Sequence, residues 1–164
     1  MNGKFDRCFD WLMANEGRYS NDPADPGGET MWGITEAVAR QCGYAGEMRQ
    51  MPLEVARRIY HALYWQDWMC NAEMPLCFEL FDAAVNVGPA TAAKLLQRAL
   101  GVQVDGIIGP KTMAAASAMS TVRLWALYSA TMLEYRASLP HWSRFGRGWS
   151  NRIAANLRRG AALL

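Results

Sequence analysis

The chain has little that could hold a metal. Its two histidines, His61 and His141, lie far apart, and its four cysteines, Cys8, Cys42, Cys70 and Cys77, include no Cys-x-x-Cys pair. A zinc centre is therefore not expected. No apolar run approaches the roughly 18–20 residues that a membrane-spanning helix needs. Asp6, Arg7 and Asp10 interrupt the stretch that a secretory signal would keep apolar, so synthesis without a signal peptide is the expectation. Acidic side chains are missing altogether after Tyr135, where six arginines follow (Arg136, Arg144, Arg147, Arg152, Arg158 and Arg159), whereas the rest holds eleven basic against fifteen acidic residues. Such a tail suits an anionic partner (nucleic acid, membrane headgroups or a charged cell-wall polymer), or it is a solvated helix face. Among 164 residues, 51% hydrophobic and 20% charged ones are ordinary for a globular chain and exclude a disordered or collagen-like one. Cys8 falls on an apolar stripe and reads as a buried, reduced thiol; outside a reducing compartment a disulfide stays open.

Helical periodicity recurs throughout, and strand alternation is nearly absent. Phe5, Cys8, Phe9, Leu12 and Met13 form one stripe, with Gly17 suited to close that helix. Thr35 caps a short helix ending near Gly43, and Pro52 opens another whose stripe is Ala56, Ile59, Tyr60, Leu63 and Tyr64. Further helices are predicted from Pro75 to Val87, after Pro89 as far as Gly101, from Pro110, over about Thr121–Leu139, and from near Ser150. Asp105-Gly106 reads as a turn and Gly109-Pro110 as a helix start. Trp65 and Trp68 read as core more readily than as sugar platforms.

The exception is the stretch from Gly17 to Gly33, whose glycines and prolines forbid a continuous helix and suit a small irregular hairpin. A long polar loop in a compact helical protein is more often functional than not. Glu16 immediately precedes it, at the predicted end of the first helix, where the macrodipole disfavours an ionised carboxylate and so favours a proton donor. Asp25 lies nine residues on and Thr30 five beyond that. Glycoside cleavage generally needs one protonated carboxyl at the leaving oxygen and a second carboxylate opposite. Tyr19 and Trp32 lie in the same loop and either stack on a sugar ring or pack internally. Asn86, before Gly88, either caps its helix or contacts a sugar.

The segment Asn15-Glu16-Gly17-Arg18-Tyr19-Ser20-Asn21, followed by Asp25-Pro26-Gly27-Gly28-Glu29-Thr30-Met31-Trp32-Gly33-Ile34-Thr35, resembles the opening motif of glycoside hydrolase family 108, bacterial and phage N-acetylmuramidases. Arg18 stands where the family usually has a second glycine; it can alter the loop but removes no reactive group. The stretches Phe81–Pro89, Leu95–Val102 and Val104–Thr112 resemble the predicted peptidoglycan-binding region that follows in these enzymes, and Gly146-Arg147-Gly148-Trp149-Ser150-Asn151-Arg152 is similar to their closing segment.

The resemblance implies an all-α, lysozyme-like fold, with the hairpin near residues 17–33 as its irregular part. It implies one unit over 1–164, made of a motif-bearing lobe at 1–74 and a peptidoglycan-binding-like helical lobe at 75–164. Glu16 is then the catalytic acid, with Asp25 and Thr30 beside it as catalytic candidates and Tyr19, Asn21, Trp32 and Asn86 as substrate contacts. The spacing of Glu16, Asp25 and Thr30 also resembles that of phage lysozymes. The implied partner is the peptidoglycan glycan strand; no cofactor, nucleic acid or stable membrane insertion is implied, and a monomer is expected. Without a signal peptide, access to the wall depends on a holin-like pore or another export route. A lytic transglycosylase, a chitinase and a non-catalytic wall-binding module are the competing readings.

Overall fold

A computed structural model describes residues 3–14, 19–21 and 28–164. Its elements, in order, are α1 (Gly3–Met13), β1 (Tyr19–Ser20), β2 (Thr30–Met31), β3 (Ile34–Thr35), α2 (Glu36–Gln41), α3 (Leu53–Tyr64), α4 (Met74–Val87), α5 (Pro89–Leu100), α6 (Pro110–Ser117), α7 (Thr121–Ala137) and α8 (Trp142–Ala161). Short 3-10 turns sit at Met48–Gln50 and Asp67–Asn71. The fold is mainly α and lysozyme-like, with one small antiparallel sheet in the order β1-β2-β3 among the described residues. The chain forms two compact units, Met1–Trp65 and Gln66–Leu164, a division nine residues ahead of the 74/75 boundary expected between the lobes.

In the first unit the apolar stripe of α1 is fully buried at Phe5, Cys8, Phe9 and Leu12. It meets Ala56, Ile59 and Tyr60 of α3, with the Phe9 and Tyr60 rings 5.6 Å apart. Arg57 ties the two helices together: its guanidinium lies 4.6 Å from the Phe9 ring centre and donates to Asp6 at 2.9 Å and Asp10 at 2.8 Å. The α3 stripe does not run its expected length, because Leu63 is 38% exposed and Tyr64 only half-buried. Thr35 caps α2 as expected, its hydroxyl accepting from Val38 N at 3.4 Å. The Gly17 helix stop lies outside the described residues, and α1 ends at Met13.

In the second unit α4 is buried almost all round and packs against α5, α7 and α8. That follows from its sequence: Leu76, Cys77, Phe78, Leu80, Phe81, Ala83 and Ala84 leave no polar face, so the helix is stable only when surrounded. Helix α8 begins at Trp142, eight residues ahead of the expected Ser150. Gly146 lies inside it, and a Cβ there would meet the Trp142 indole at 2.6 Å, so packing requires glycine at that position despite its low helix propensity. Cys8 and Cys77 are buried, Cys70 is half-buried and Cys42 exposed, all in the thiol form. Trp65 is buried, in keeping with its core reading, and Trp68 is half-buried.

Candidate active site

The sheet is built around one tight turn. Met31 pairs with Ile34, so Trp32 and Gly33 form a two-residue hairpin turn with φ of 56° and 74°. Positive φ at both central positions is the twist that antiparallel strands require, and Gly33 meets it without cost. A tryptophan there is strained and persists only because its surroundings hold it. They do: the indole Nε1 donates to Met51 O at 2.9 Å, and Tyr60 Oη donates to Trp32 O at 3.0 Å. The half-buried ring is thus a fixed object, with its N–H edge committed to the protein.

The other hairpin joins β1 to β2. Tyr19 pairs with Met31 and Ser20 with Thr30, so the Ser20–Thr30 pair closes the long loop. Thr30 also pairs with Thr35 on its other side, which makes it the central rung of the sheet. Asn21 is exposed where the loop leaves β1. The guanidinium of Arg49, from the 3-10 turn, lies 4.6 Å from the Tyr19 ring centre. One face of Tyr19 is therefore covered by a cation, which leaves at most the other face for a sugar.

Of the seven expected site residues, Tyr19, Thr30 and Trp32 come together on this sheet, with Asn21 at its edge. Glu16 and Asp25 lie outside the described residues. Asn86 belongs to the second unit; its side chain is exposed and donates to Asp82 O, one helical turn back, at 2.7 Å. That back-bond fits the helix-end reading and uses only one of the two amide hydrogens. Sequence reasoning missed the supports Arg49, Met51 and Tyr60. Only Tyr60 carried a signal, and that signal was for the core.

The second unit holds a buried polar cluster. Glu79 is 3% exposed, and both its carboxylate oxygens lie 2.7 Å from Ser129 Oγ, which also donates to Trp125 O at 3.0 Å. Burial, aided by nearby Asp82, pushes the Glu79 carboxyl up to about 7. The Trp125 indole N–H finds no partner within hydrogen-bond distance, yet it lies near enough to pull that carboxyl back down, as Ser129 does. Asp82, 7% exposed, accepts from Arg152 Nη2 at 2.7 Å and Nε at 3.0 Å and from Asn156 Nδ2 at 3.0 Å. A carboxyl titrating near neutrality is what a general acid needs. Among the described residues, however, Glu79 lines a cavity of about 20 Å³ together with Asn86, Arg136 and Arg152, too small for a sugar ring. That confinement argues against Glu79 as the sugar-cleaving acid. Among the described residues no group of three or more His, Cys, Asp or Glu side chains could hold a metal ion.

The Asp105-Gly106 segment is a turn folded around Gln97, which is 1% exposed. Gln97 Oε1 accepts from the N–H groups of Asp105 at 3.0 Å and Gly106 at 2.7 Å. Its Nε2 donates to Asp105 Oδ1 at 2.7 Å and Ile107 O at 3.0 Å. The Ile107 N–H first, and Gln97 second, hold the Asp105 carboxyl below the usual range. Gln97→Leu removes these bonds, and a longer one of 3.5 Å to Thr112 Oγ1, at nearly constant volume and is expected to cost about 2 kcal/mol or more in chemical denaturation. A loss below about 0.5 kcal/mol would show that the turn holds itself.

Comparisons with known proteins cover almost the whole chain. A family model described as Glycosyl hydrolase 108 matches residues 9–88, and one described as Predicted Peptidoglycan domain matches residues 91–154. A solved structure titled "Structure of Brucella abortus SagA" is similar at a TM-score of 0.84 and 32% identity, covering 98% of this chain and 95% of that one. No curated protein matches. The hairpin of Tyr19, Thr30 and Trp32 falls inside the first match and the Gln97 turn inside the second. The chain belongs to the glycosyl hydrolase 108 family, as a glycoside hydrolase acting on peptidoglycan through one catalytic region and one predicted peptidoglycan domain.

Proposed function

We propose that the protein is an N-acetylmuramidase of the endolysin type, which hydrolyses the bond between N-acetylmuramic acid and N-acetylglucosamine. The observation that carries the reading is the hairpin: a loop that contains Asp25, preceded closely by Glu16, is anchored at its base by the Ser20–Thr30 pair and by a strained Trp32 turn. Backbone strain held in place by two hydrogen bonds is characteristic of sites that must keep one geometry.

In this reading Glu16 protonates the leaving glycosidic oxygen. Asp25 orients a water and accepts its proton as the water attacks the anomeric carbon from the opposite face, so that the configuration inverts. Thr30 helps to hold that water. Trp32, the free face of Tyr19, and Asn21 line the path of the sugar, and Asn86 is the remaining proposed contact. No cofactor enters the scheme. Among the described residues no helix is long and apolar enough to cross a membrane. In this reading the enzyme acts at the wall, as a monomer, after a holin-like or other export step.

Purified peptidoglycan incubated with the protein should lose turbidity and gain reducing ends in parallel. Clearing without new reducing ends would point to a transglycosylase, and sedimentation with the wall without either change would leave only a binding module. Asp25→Asn is expected to lower turnover by about 10²-fold or more with the melting temperature nearly unchanged. Loss of stability with full activity per folded molecule would make Asp25 a turn residue instead.

A further inference from the structure

Helix α8 contains no acidic residue, and its outward side carries a feature that the catalytic reading does not use. Arg144, Arg147, Asn151 and Arg158 are exposed and fall within an arc of about 60°, over about 21 Å of helix. None of these three arginines has a carboxylate partner among the described residues, whereas Arg152 on the same helix is held by Asp82. Beside this row runs a ladder of rings one turn apart. His141 and Phe145 are 6.3 Å apart, Phe145 and Trp149 are 5.8 Å apart, and the Arg144 guanidinium lies 5.1 Å from the Phe145 ring centre. The Phe145 ring is 44% exposed.

The glycines of α8 add an independent sign. A Cβ on Gly146 would meet the Trp142 ring at 2.6 Å, and one on Gly160 would meet Trp125 at 2.4 Å, so packing requires both. Gly148 is exposed with nothing within 4 Å, and no neighbour demands it. Glycine is a poor helix former in such a position. Lying three residues after Phe145 and three before Asn151, it leaves a strip of bare backbone between an exposed ring, an amide and the arginine row.

We propose that this face, made by Arg144, Phe145, Arg147, Gly148 and Asn151 and extended by Arg158, binds the peptidoglycan strand itself. The inference rests on peptidoglycan being the substrate, and it names the surface of the second unit that grips it. The chemistry matches group by group. The apolar face of an N-acetylated sugar stacks on Phe145, the bare strip at Gly148 lets the strand approach the backbone, Asn151 meets acetamido and hydroxyl groups, and the arginines pair with the carboxylates of the stem peptides. A plain polyanion would need the charges but neither the ring nor the bare strip.

Sedimentation of the full chain with purified sacculi on ice, at low and at high salt, tests this. The double variant Arg144→Glu/Arg147→Glu should bind at least about tenfold more weakly at low salt, and Phe145→Ala about fivefold. Gly148→Ala should raise the melting temperature and still weaken binding, a combination that a purely structural glycine does not give. It also carries the test if the double variant fails to fold. Folded variants that sediment like the wild type overturn the proposal. So does a wild type that floats with phosphatidylglycerol vesicles as strongly as it sediments with sacculi, because the face would then be a lipid surface. Release of reducing ends by the wild type is read separately, so binding without cleavage removes the enzymatic reading and leaves this surface standing.

Discussion

Glu16→Gln is expected to remove nearly all wall-lytic activity while the protein stays folded and still sediments with peptidoglycan. The amide matches the carboxyl in size but has no proton to give the leaving oxygen, and general acid catalysis contributes about 10²–10⁴-fold. The loss should appear in kcat, because the group acts on charge that develops in the transition state. A variant within threefold of the wild type would remove Glu16 from the mechanism. The acid would then have to be sought elsewhere, and Glu79, the one carboxyl raised to about 7 among the described residues, lines a cavity of only about 20 Å³, too small for a sugar ring.

The second large effect concerns that same Glu79, as a matter of stability. Its carboxyl titrates near 7 when folded against an ordinary 4.5, so between those values the folded chain holds a proton that the unfolded chain has released. Stability from this group is complete below about pH 4.5, falls as pH rises towards 7, and stays low above it. The full swing is about 3 kcal/mol. The groups facing it pull in both directions, and burial decides. Ser129 Oγ, 2.7 Å away, and the Trp125 indole favour the charged form, whereas burial first and Asp82 on the same helix second disfavour it. Arg152 is already engaged by Asp82, and Arg136 stacks on Trp149 with its guanidinium 4.9 Å from the ring centre. Denaturation of the wild type at pH 5 and pH 8 should therefore show a marked loss at the higher pH. Glu79→Gln should flatten that dependence and gain about 1–3 kcal/mol at pH 8. Equal wild-type stability at the two pH values would mean that Glu79 is ionised and solvated.

Where the chain carries its own punctuation, its structure is legible from the sequence. Pro75 and Gly88 bound α4, Pro89 and Gly101 bound α5, and Thr35 caps α2, each because a local φ or hydrogen bond suffices. The failures are places where packing overrides local preference. Helix α8 starts at Trp142 rather than near Ser150 and runs through Gly146, whose Cβ space the Trp142 ring fills. Leu63 continues the periodic stripe of α3 but meets solvent. The partners of Glu79 and Asp82 lie 50 to 74 residues along the chain, beyond any local pattern. The same holds for the hairpin. Tyr19, Thr30 and Trp32 could be grouped from their loop alone, but Arg49 on the Tyr19 face and Met51 beneath the Trp32 indole had no signature. Nor does tryptophan announce a turn that needs positive φ.

The most direct test of the central claim is mass spectrometry of the soluble fragments from a peptidoglycan digest, reduced with borohydride before separation. The proposed muramidase predicts disaccharide peptides whose reduced terminal sugar is muramitol. Fragments ending in 1,6-anhydro-muramic acid, in reduced glucosamine, or no fragments at all would contradict it.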